Sequence, residues 1–204
     1  MNKKSDIKMI LFFIIIGLAL FGFIGYKIKN DFFTEDETHK KLLSLDLYGY
    51  TLSKSDTDLY KDNFKVLEGV LNENPIDYTA YAKSLSKLFI IDVFTLTNKV
   101  SSTDIGGLEF IHKKLKENFK ENLGATLYKN VEINLDGTRT QELPEVSSIE
   151  VSDITETKYT YGEVEYDAYL VTLNWEYKKD LGYDKSMKIT LIKDSDKLYV
   201  VKGE

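Results

Sequence analysis

The feature that most constrains this chain is an apolar run near its start. Residues 9–26 read MILFFIIIGLALFGFIGY and contain no charged side chain. At a rise of about 1.5 Å per helical residue this run spans about 27 Å, close to the roughly 30 Å hydrocarbon thickness of a bilayer. Lys8 and Lys27 can extend their ammonium groups outward to the lipid headgroups. We therefore predict one transmembrane helix at residues 9–28.

A cleaved signal peptide is the alternative explanation of this run. Such a peptide has an apolar region of about 7–15 residues, followed by a cleavage site of the small-x-small type. Here the run is longer, and the sequence that closes it, GYKIK at residues 25–29, offers no such site. The sequence therefore favours an uncleaved anchor.

The charges that flank the run predict its orientation. Three lysines precede it within residues 1–8, and Lys27 and Lys29 follow it, which is a small excess on the first side. A short segment that carries three lysines is also a poor candidate for export. We expect a single-pass protein of the cell membrane with a cytoplasmic tail at 1–8, a membrane-proximal stalk at 29–46 and an extracytoplasmic domain at 47–204.

Composition bounds the chemistry of the remaining chain. The sequence has no cysteine and only two histidines, which excludes a disulfide framework, a cysteine nucleophile and a cysteine-ligated metal. Residues 30–204 carry 22 basic and 32 acidic side chains, and this acidity argues against a nucleic-acid-binding surface. All basic residues except Arg139 are lysines, which together with abundant Asn and Ile indicates an AT-rich genome, such as that of a Gram-positive bacterium.

Helical periodicity dominates the first part of the predicted domain. After a short edge strand at 47–52, apolar residues at helical spacing predict a helix that starts at Asp56 or Asp58 and ends near Asn72. A second helix is expected at 77–98, and its later half is apolar on all sides, which is typical of a helix central to a core.

A turn with two consecutive glycines, SSTDIGG at 101–107, follows the second helix. Apolar spacing after this turn predicts a third helix over 108–132, interrupted or kinked near Gly124. A polar connection at 134–146 then leads to a different pattern.

The last third of the sequence alternates with a period of two, which predicts strands. The expected strands lie at 148–160, 163–178, 185–193 and 198–202. Because the connections between them are short, neighbouring strands must be antiparallel. Helices followed by an antiparallel meander predict an α+β domain, with two to three helices packed on a curved sheet of about four strands.

The closing stretch MKITLIKDSDKLYVV, at 187–201, reads as a strand, an aspartate-rich tight turn and a last strand. With the N-terminal anchor and the preceding helices, this order of elements resembles the nuclear-transport-factor-2-like (cystatin-like cone) superfamily over about residues 76–204. Membrane-anchored members with this layout include small bitopic assembly components of type IV secretion and conjugation machines. The resemblance implies either an assembly role or an enzyme with acid–base residues inside the cone.

Asp92 is the candidate for chemistry, because it lies in the apolar run LFIIDVFTL at 88–96. Burial raises the pKa of a carboxyl group, which can then act as a general acid or base. The alternative, which we favour, is a structural carboxylate hydrogen-bonded to a tyrosine or to the backbone. Asp104 could help to bind a cation, but an aspartate before two glycines more often forms a turn. His39 and His112 are far apart in the sequence, and the sequence identifies no catalytic or metal-ligating partner for either. A deep pocket containing Asp92 and a second polar group would favour an enzyme or a sensor.

The leading hypothesis for function is a bitopic membrane protein whose extracytoplasmic domain is not catalytic and serves protein–protein assembly in the cell envelope. Its partners would be other proteins or further copies of the chain. It would contact the membrane through residues 9–28, and we expect it to bind no nucleic acid, metal or cofactor. The Trp175 face of the long strand carries more apolar bulk and should face the core, so Thr172 and Asn174 are predicted at the partner surface. The alternatives are a small enzyme (hydrolase, isomerase or dehydratase) that uses Asp92 as its acid or base, and a ligand-binding domain.

Overall fold

The computed structural model describes residues 41–204. The predicted tail at 1–8, the predicted transmembrane helix at 9–28 and most of the predicted stalk at 29–46 lie outside these residues. Of the helices that the described residues form, none is long and apolar enough to cross a membrane.

A short antiparallel hairpin opens the described chain. Strand β1, Lys41–Leu45, pairs with β2, Tyr50–Ser53, and the Tyr50 side chain is fully buried. The hairpin begins within residues 29–46, where a stalk was expected, and β2 overlaps the predicted strand at 47–52. A bulge between Lys41 and Leu43 breaks the regular alternation of β1. The strand therefore does not show the period-two pattern by which strands are recognised in a sequence.

The first two helices follow the predicted apolar spacing. Helix α1 spans Asp58–Leu71 and begins after Thr57, whose hydroxyl accepts a hydrogen bond from the Tyr60 amide. Helix α2 spans Tyr78–Phe94 and begins after Asp77, whose carboxylate accepts hydrogen bonds from two amides of the first turn. Helix α1 buries one face, whereas α2 is buried on nearly all sides and forms the centre of the core.

A four-stranded antiparallel sheet follows, and it confirms the predicted meander. Its spatial order is the chain order: β3, Val146–Tyr161; β4, Val164–Tyr177; β5, Ser186–Asp194; and β6, Lys197–Gly203. The turn between β3 and β4 contains Gly162 with a φ of 66°, which suits the first position of a tight hairpin turn. Ala168 is the first β4 residue that pairs with β5, so the hairpin tip at 158–167 is a two-stranded ribbon of β3 and β4 alone.

Alternation along β4 gives the sheet two different faces. Leu173 and Trp175 are buried against the helices, and the Trp175 ring lies 4.8 Å from that of Phe94. Thr172 and Asn174 point to the opposite face. The Trp175 face therefore packs on the core, as its apolar bulk predicts.

The third helix is much shorter than the predicted one at 108–132. Helix α3 spans only Lys116–Ala125. Before it, the Phe110 carbonyl accepts a hydrogen bond from the Val200 amide of β6, and the His112 amide donates to the Val200 carbonyl. This segment runs parallel to the edge of β6, so its backbone groups are used by the sheet and cannot form a helix. The domain is thus an α+β fold of three helices, a four-stranded sheet and a hairpin.

A small apolar cluster holds the loops that follow α2. Its members are Leu96, Ile105, Tyr128 and Val131. The Tyr128 hydroxyl donates a hydrogen bond to the Val93 carbonyl (2.9 Å) and accepts one from the Gly106 amide (3.1 Å). Tyr128 thereby fixes the glycine turn against the end of α2, where Asp92 lies.

Candidate functional site

Asp92 lies in the last turn of α2, with 19% of its side chain exposed. One carboxylate oxygen, Oδ1, is 2.5 Å from the Nζ of Lys99, and the other, Oδ2, accepts a hydrogen bond from the Gly107 amide at 2.6 Å. Both oxygens are therefore engaged within the protein. These contacts are those of a structural carboxylate, although the role of Asp92 stays a prediction.

The turn that supplies the Gly107 amide approaches α2 too closely for a side chain. A Cβ added to Gly106 would lie 2.2 Å from the Asp92 carbonyl oxygen, and one added to Gly107 would lie 2.6 Å from Cγ2 of Val93. Gly107 also has a φ of 79°, which favours glycine. The two glycines are required here because they let the backbone reach the Asp92 carboxylate.

Lys99 is the cation of this site, and 5% of its side chain is exposed. Burial opposes the charge on Lys99, but the Asp92 carboxylate outweighs this effect and holds the pKa of Lys99 above its usual value. A lysine held in the protonated form is not a nucleophile. Lys99 therefore balances the charge of Asp92.

Glu109 is a second, half-buried carboxylate, on the loop between α2 and α3. It accepts hydrogen bonds from the amide and hydroxyl of Thr51, at 3.1 and 3.0 Å, and from the Tyr60 hydroxyl at 3.2 Å. Burial, reinforced by the negative charge of Asp92, raises the pKa of Glu109 to about 7. The carboxyl group therefore joins β2 to α1 and changes charge near neutral pH.

Asp56 adds a third carboxylate near the first two. Its Oδ2 accepts a hydrogen bond from the Ser53 amide at 2.6 Å. Burial raises the pKa of Asp56; the Ser53 hydrogen bond opposes this shift, and the charge of Asp92 adds to it. Within residues 41–204, no group of three or more His, Asp or Glu side chains is arranged to hold a metal ion.

A cavity of about 330 Å³ lies between α2, α3 and the ends of β5 and β6. Its lining is mostly apolar and includes Phe89, Val93, Phe119, Leu123, Met187 and Val200. Asn118, Asn122 and Lys202 are its polar residues, and Lys202 is the one ionisable side chain among the residues that line it. Neither Asp92 nor Glu109 lines this cavity, so the carboxylates and the cavity are separate features.

The predicted partner surface at Thr172 and Asn174 lies on the outer face of the sheet. In the sheet register Thr172 neighbours Lys188 and Asp153, and Asn174 neighbours Glu150 and Ser186. Charged and hydroxyl-bearing side chains therefore surround the two residues. The immediate surroundings of Thr172 and Asn174 therefore lack the aromatic and aliphatic centre that characterises a tight protein interface.

The remaining candidates have local roles in the fold. His112 is buried, and its ring lies edge-on to the rings of Tyr161 and Tyr199, at 5.6 and 5.4 Å. Burial lowers the pKa of His112. The Asp104 carboxylate accepts a hydrogen bond from the Val100 amide at 2.8 Å, as expected of a turn-forming aspartate. His39 lies outside the described residues.

Comparisons with protein-family models, with curated proteins and with solved structures found no match to this chain. The resemblance to the nuclear-transport-factor-2-like superfamily therefore stays a prediction.

Two residues of the site, Lys99 and Glu109, were not among the sequence candidates. The signal for Glu109 is its place between Leu108 and Phe110, since a carboxyl group flanked by apolar residues is the same feature that drew attention to Asp92.

Proposed function

We propose that residues 41–204 form a non-catalytic binding domain of a single-pass membrane protein, which assembles with protein partners or with further copies of the chain in the cell envelope. The predicted helix at 9–28 is the anchor in this proposal, and the domain lies outside the cytoplasmic membrane. Two features of the domain support this proposal. The first argues against a catalytic role, and the second favours assembly with another chain.

The first feature is that the buried carboxylates are committed to internal contacts. Asp92 is held by Lys99 and Gly107, and Glu109 by Thr51 and Tyr60. A general acid or base must reach the proton that it transfers. The cavity that could hold a substrate is lined by neither carboxylate. This separation favours a binding domain over the alternative of an acid–base enzyme.

The second feature, which carries the proposal, is the exposed edge of β3. Strand β3 lies at one side of the sheet, and within residues 41–204 no strand pairs with its outer side. Two bulges, at Val146/Ser148 and Val151/Asp153, interrupt the first half of the strand, whereas residues 153–161 pair with β4 without irregularity. A regular edge with unpaired backbone groups is a template for a strand of another chain.

Side chains along this edge favour the antiparallel pairing of two copies. In a two-fold arrangement centred on Thr157, Glu156 of each copy lies opposite Lys158 of the other, and opposite charges at such positions are stabilising. Within its own chain Lys158 lies 2.5 Å from Asp167, but both side chains are more than half exposed. An exposed ion pair contributes little, so Lys158 is free to exchange partners.

The test uses the absence of cysteine from the sequence. In a Thr157→Cys variant the single thiol would lie at the two-fold axis, opposite its own copy. Mild oxidation, or a short thiol crosslinker, applied to native membranes should therefore give a covalent dimer. The matched control is Thr140→Cys, which is exposed but lies outside the sheet and should give none.

Mass spectrometry of the crosslinked product distinguishes the kinds of assembly. A peptide joined to itself at position 157 supports self-association, and a peptide of another protein at this position supports a different partner on the same edge. If the folded Thr157→Cys protein crosslinks no more than the Thr140→Cys protein, the edge is not an assembly surface and the proposal fails.

A further inference from the structure

The apolar cavity is covered loosely by helix α3. Leu115, at the start of this helix, and Phe119 and Leu123 within it face the cavity, but no residue of α3 is buried. These three side chains are partly buried and pack against the core, and they line the cavity together with Phe89 and Val93. An amphipathic helix normally buries its apolar face, so this arrangement leaves apolar surface available to a ligand.

Polar groups lie at the rim of the cavity and not in its floor. Asn118 and Asn122 lie one turn apart on α3, and the Asn122 amide donates a hydrogen bond to the Asn118 side-chain oxygen at 2.6 Å. Lys202 lies on β6, where its Nζ is 2.6 Å from a carboxylate oxygen of Glu204. About half of the Lys202 and Glu204 side chains is exposed, so this ion pair is weak and can be exchanged for a ligand.

We propose that this cavity binds a single-chain anionic amphiphile, of which a medium-chain fatty carboxylate is the simplest example. The acyl chain lies among Phe89, Val93 and Phe119, and the anionic head lies at Lys202 within reach of the two asparagine amides. A volume of about 330 Å³ is at the lower end of the range of about 300–1,000 Å³ that small-molecule sites occupy. The site is independent of the β3 edge.

An acyl chain fits this cavity better than a peptide does. Each peptide unit carries an N–H and a C=O group that must find hydrogen-bond partners when it is buried. The apolar floor offers no side-chain partners, and the polar groups are confined to the rim. An acyl chain has no such groups, and its single polar head matches the single charged position in the lining, Lys202.

The test maps where an amphiphile binds to the full-length chain. The protein is reconstituted in phosphatidylcholine nanodiscs and exposed to dodecanoate that carries a photoreactive group on its chain. After illumination, mass spectrometry should find label in peptides of α3, of the end of α2 or of β6, in addition to any label in residues 9–28. Label confined to residues 9–28, or to the surface opposite the cavity, would overturn the proposal.

Competition defines the chemistry of the ligand. Unlabelled dodecanoate should displace the cavity label. In a series of fatty carboxylates of increasing chain length, the potency of displacement should rise about fourfold per added methylene until the cavity is full, since each buried methylene adds a constant increment of binding free energy. Dodecyltrimethylammonium should compete at least tenfold more weakly, because its head is repelled by Lys202. If dodecanoate and dodecyltrimethylammonium compete equally well, Lys202 does not select the charge of the ligand, and the proposal that the ligand is anionic is overturned.

Charge variants at the rim test the role of Lys202. Lys202→Glu should weaken dodecanoate binding about tenfold or more, and Glu204→Gln should strengthen it because it releases Lys202 from its present partner. The matched control is Lys179→Glu, which breaks a similarly exposed ion pair, with Glu142, away from the cavity and should change nothing. If Glu204→Gln weakens binding or Lys179→Glu matches the effect of Lys202→Glu, the head does not lie at Lys202.

A filling variant tests the floor of the cavity. Val93→Trp should abolish the cavity label, whereas Thr172→Trp, on the outer face of the sheet, should leave it unchanged. Because Val93→Trp can also disturb the core, the rim variants and the label map on the wild-type protein decide the outcome if this variant fails to fold. Displacement of the label by an apolar peptide but not by dodecanoate would assign a different occupant and overturn the proposal.

Discussion

The ammonium group of Lys99 lies 2.5 Å from the carboxylate of Asp92, and both groups are largely withdrawn from water. A buried ion pair differs from a surface pair in one respect: removal of one partner leaves the other charge without compensation. The pair also fixes the turn at Gly107 through the second oxygen of Asp92. The contribution of Asp92 is therefore expected to appear in the stability of the fold.

We expect Asp92→Asn to lower the free energy of unfolding by about 3 kcal/mol, because it leaves Lys99 as an unpaired buried cation. Urea denaturation followed by circular dichroism measures this. Asp62→Asn is the control, since Asp62 forms an exposed pair with Lys65 and should change stability by less than about 0.5 kcal/mol. An Asp92→Asn protein that is fully stable but inactive in the cell would instead point to the enzyme.

Two glycine-to-alanine changes should have opposite effects. In Gly106→Ala the new Cβ would meet the Asp92 carbonyl 2.2 Å away, so the turn must move and stability should fall by more than about 2 kcal/mol. In Gly124→Ala, within α3, the new Cβ meets nothing within 4 Å. That variant should gain about 0.5–1 kcal/mol, because alanine favours the helix. Thermal melting of the two variants side by side tests this; equal effects would contradict it.

The raised pKa of Glu109 makes stability depend on pH. In the folded state its pKa is about 7, above the ordinary value of 4.5, so the native protein binds a proton that the unfolded chain releases. Its contribution to stability is therefore complete below about pH 4.5 and is lost as the pH rises toward 7. We expect this contribution to amount to on the order of 3 kcal/mol.

The pH effect of Glu109 is isolated by comparison with Glu109→Gln. His112 has a lowered pKa and acts in the opposite direction, since it loses stability as the pH falls below about 6.5. The informative quantity is thus the difference in unfolding free energy between the wild-type protein and Glu109→Gln, measured by urea titration from pH 5 to 8. The wild type should be relatively more stable at pH 5 than at pH 8; a difference independent of pH would show that Glu109 titrates normally.

Residues 41–204 should fold without the preceding segment. Strand β1 completes the hairpin that buries Tyr50, and the rest of the core that the described residues form lies later in the chain. We expect this fragment to be soluble, to give a mixed α and β circular dichroism spectrum and to keep its melting temperature in the presence of a chelator. A fragment of residues 50–204 lacks β1 and should melt at a lower temperature. A chelator-dependent melting temperature would refute the expectation.

The predicted anchor leads to a separate expectation about the full-length protein. It should remain in the membrane pellet after alkaline carbonate extraction, and protease added to wall-stripped cells should digest residues beyond about 30. Release of a shortened, soluble protein would show instead that the run at 9–26 is a cleaved signal peptide. The position of the first residue of the mature protein, read by mass spectrometry, separates these two cases.

Helices α1 and α2 and strands β3 to β6 could be predicted because their apolar residues recur with a local period. The segment at Phe110 could not, since its apolar spacing is helical while its backbone hydrogen bonds go to Val200, ninety residues later. The same limit applies to the site. Asp92 is conspicuous in its apolar surroundings, but its pairing with Lys99 depends on how the chain turns after α2. Local patterns specify elements, whereas the partners of buried charges are set by tertiary contacts.

Strand β6 is enclosed on both sides, by β5 and by the segment at Phe110, and its backbone at Leu198 also hydrogen-bonds to the hydroxyls of Tyr50 and Tyr81. These contacts join β6 to segments that precede it by about 90 to 150 residues in the sequence. Closure of the sheet therefore requires β6, and because it joins segments far apart in the sequence it is a step of high contact order, which slows folding.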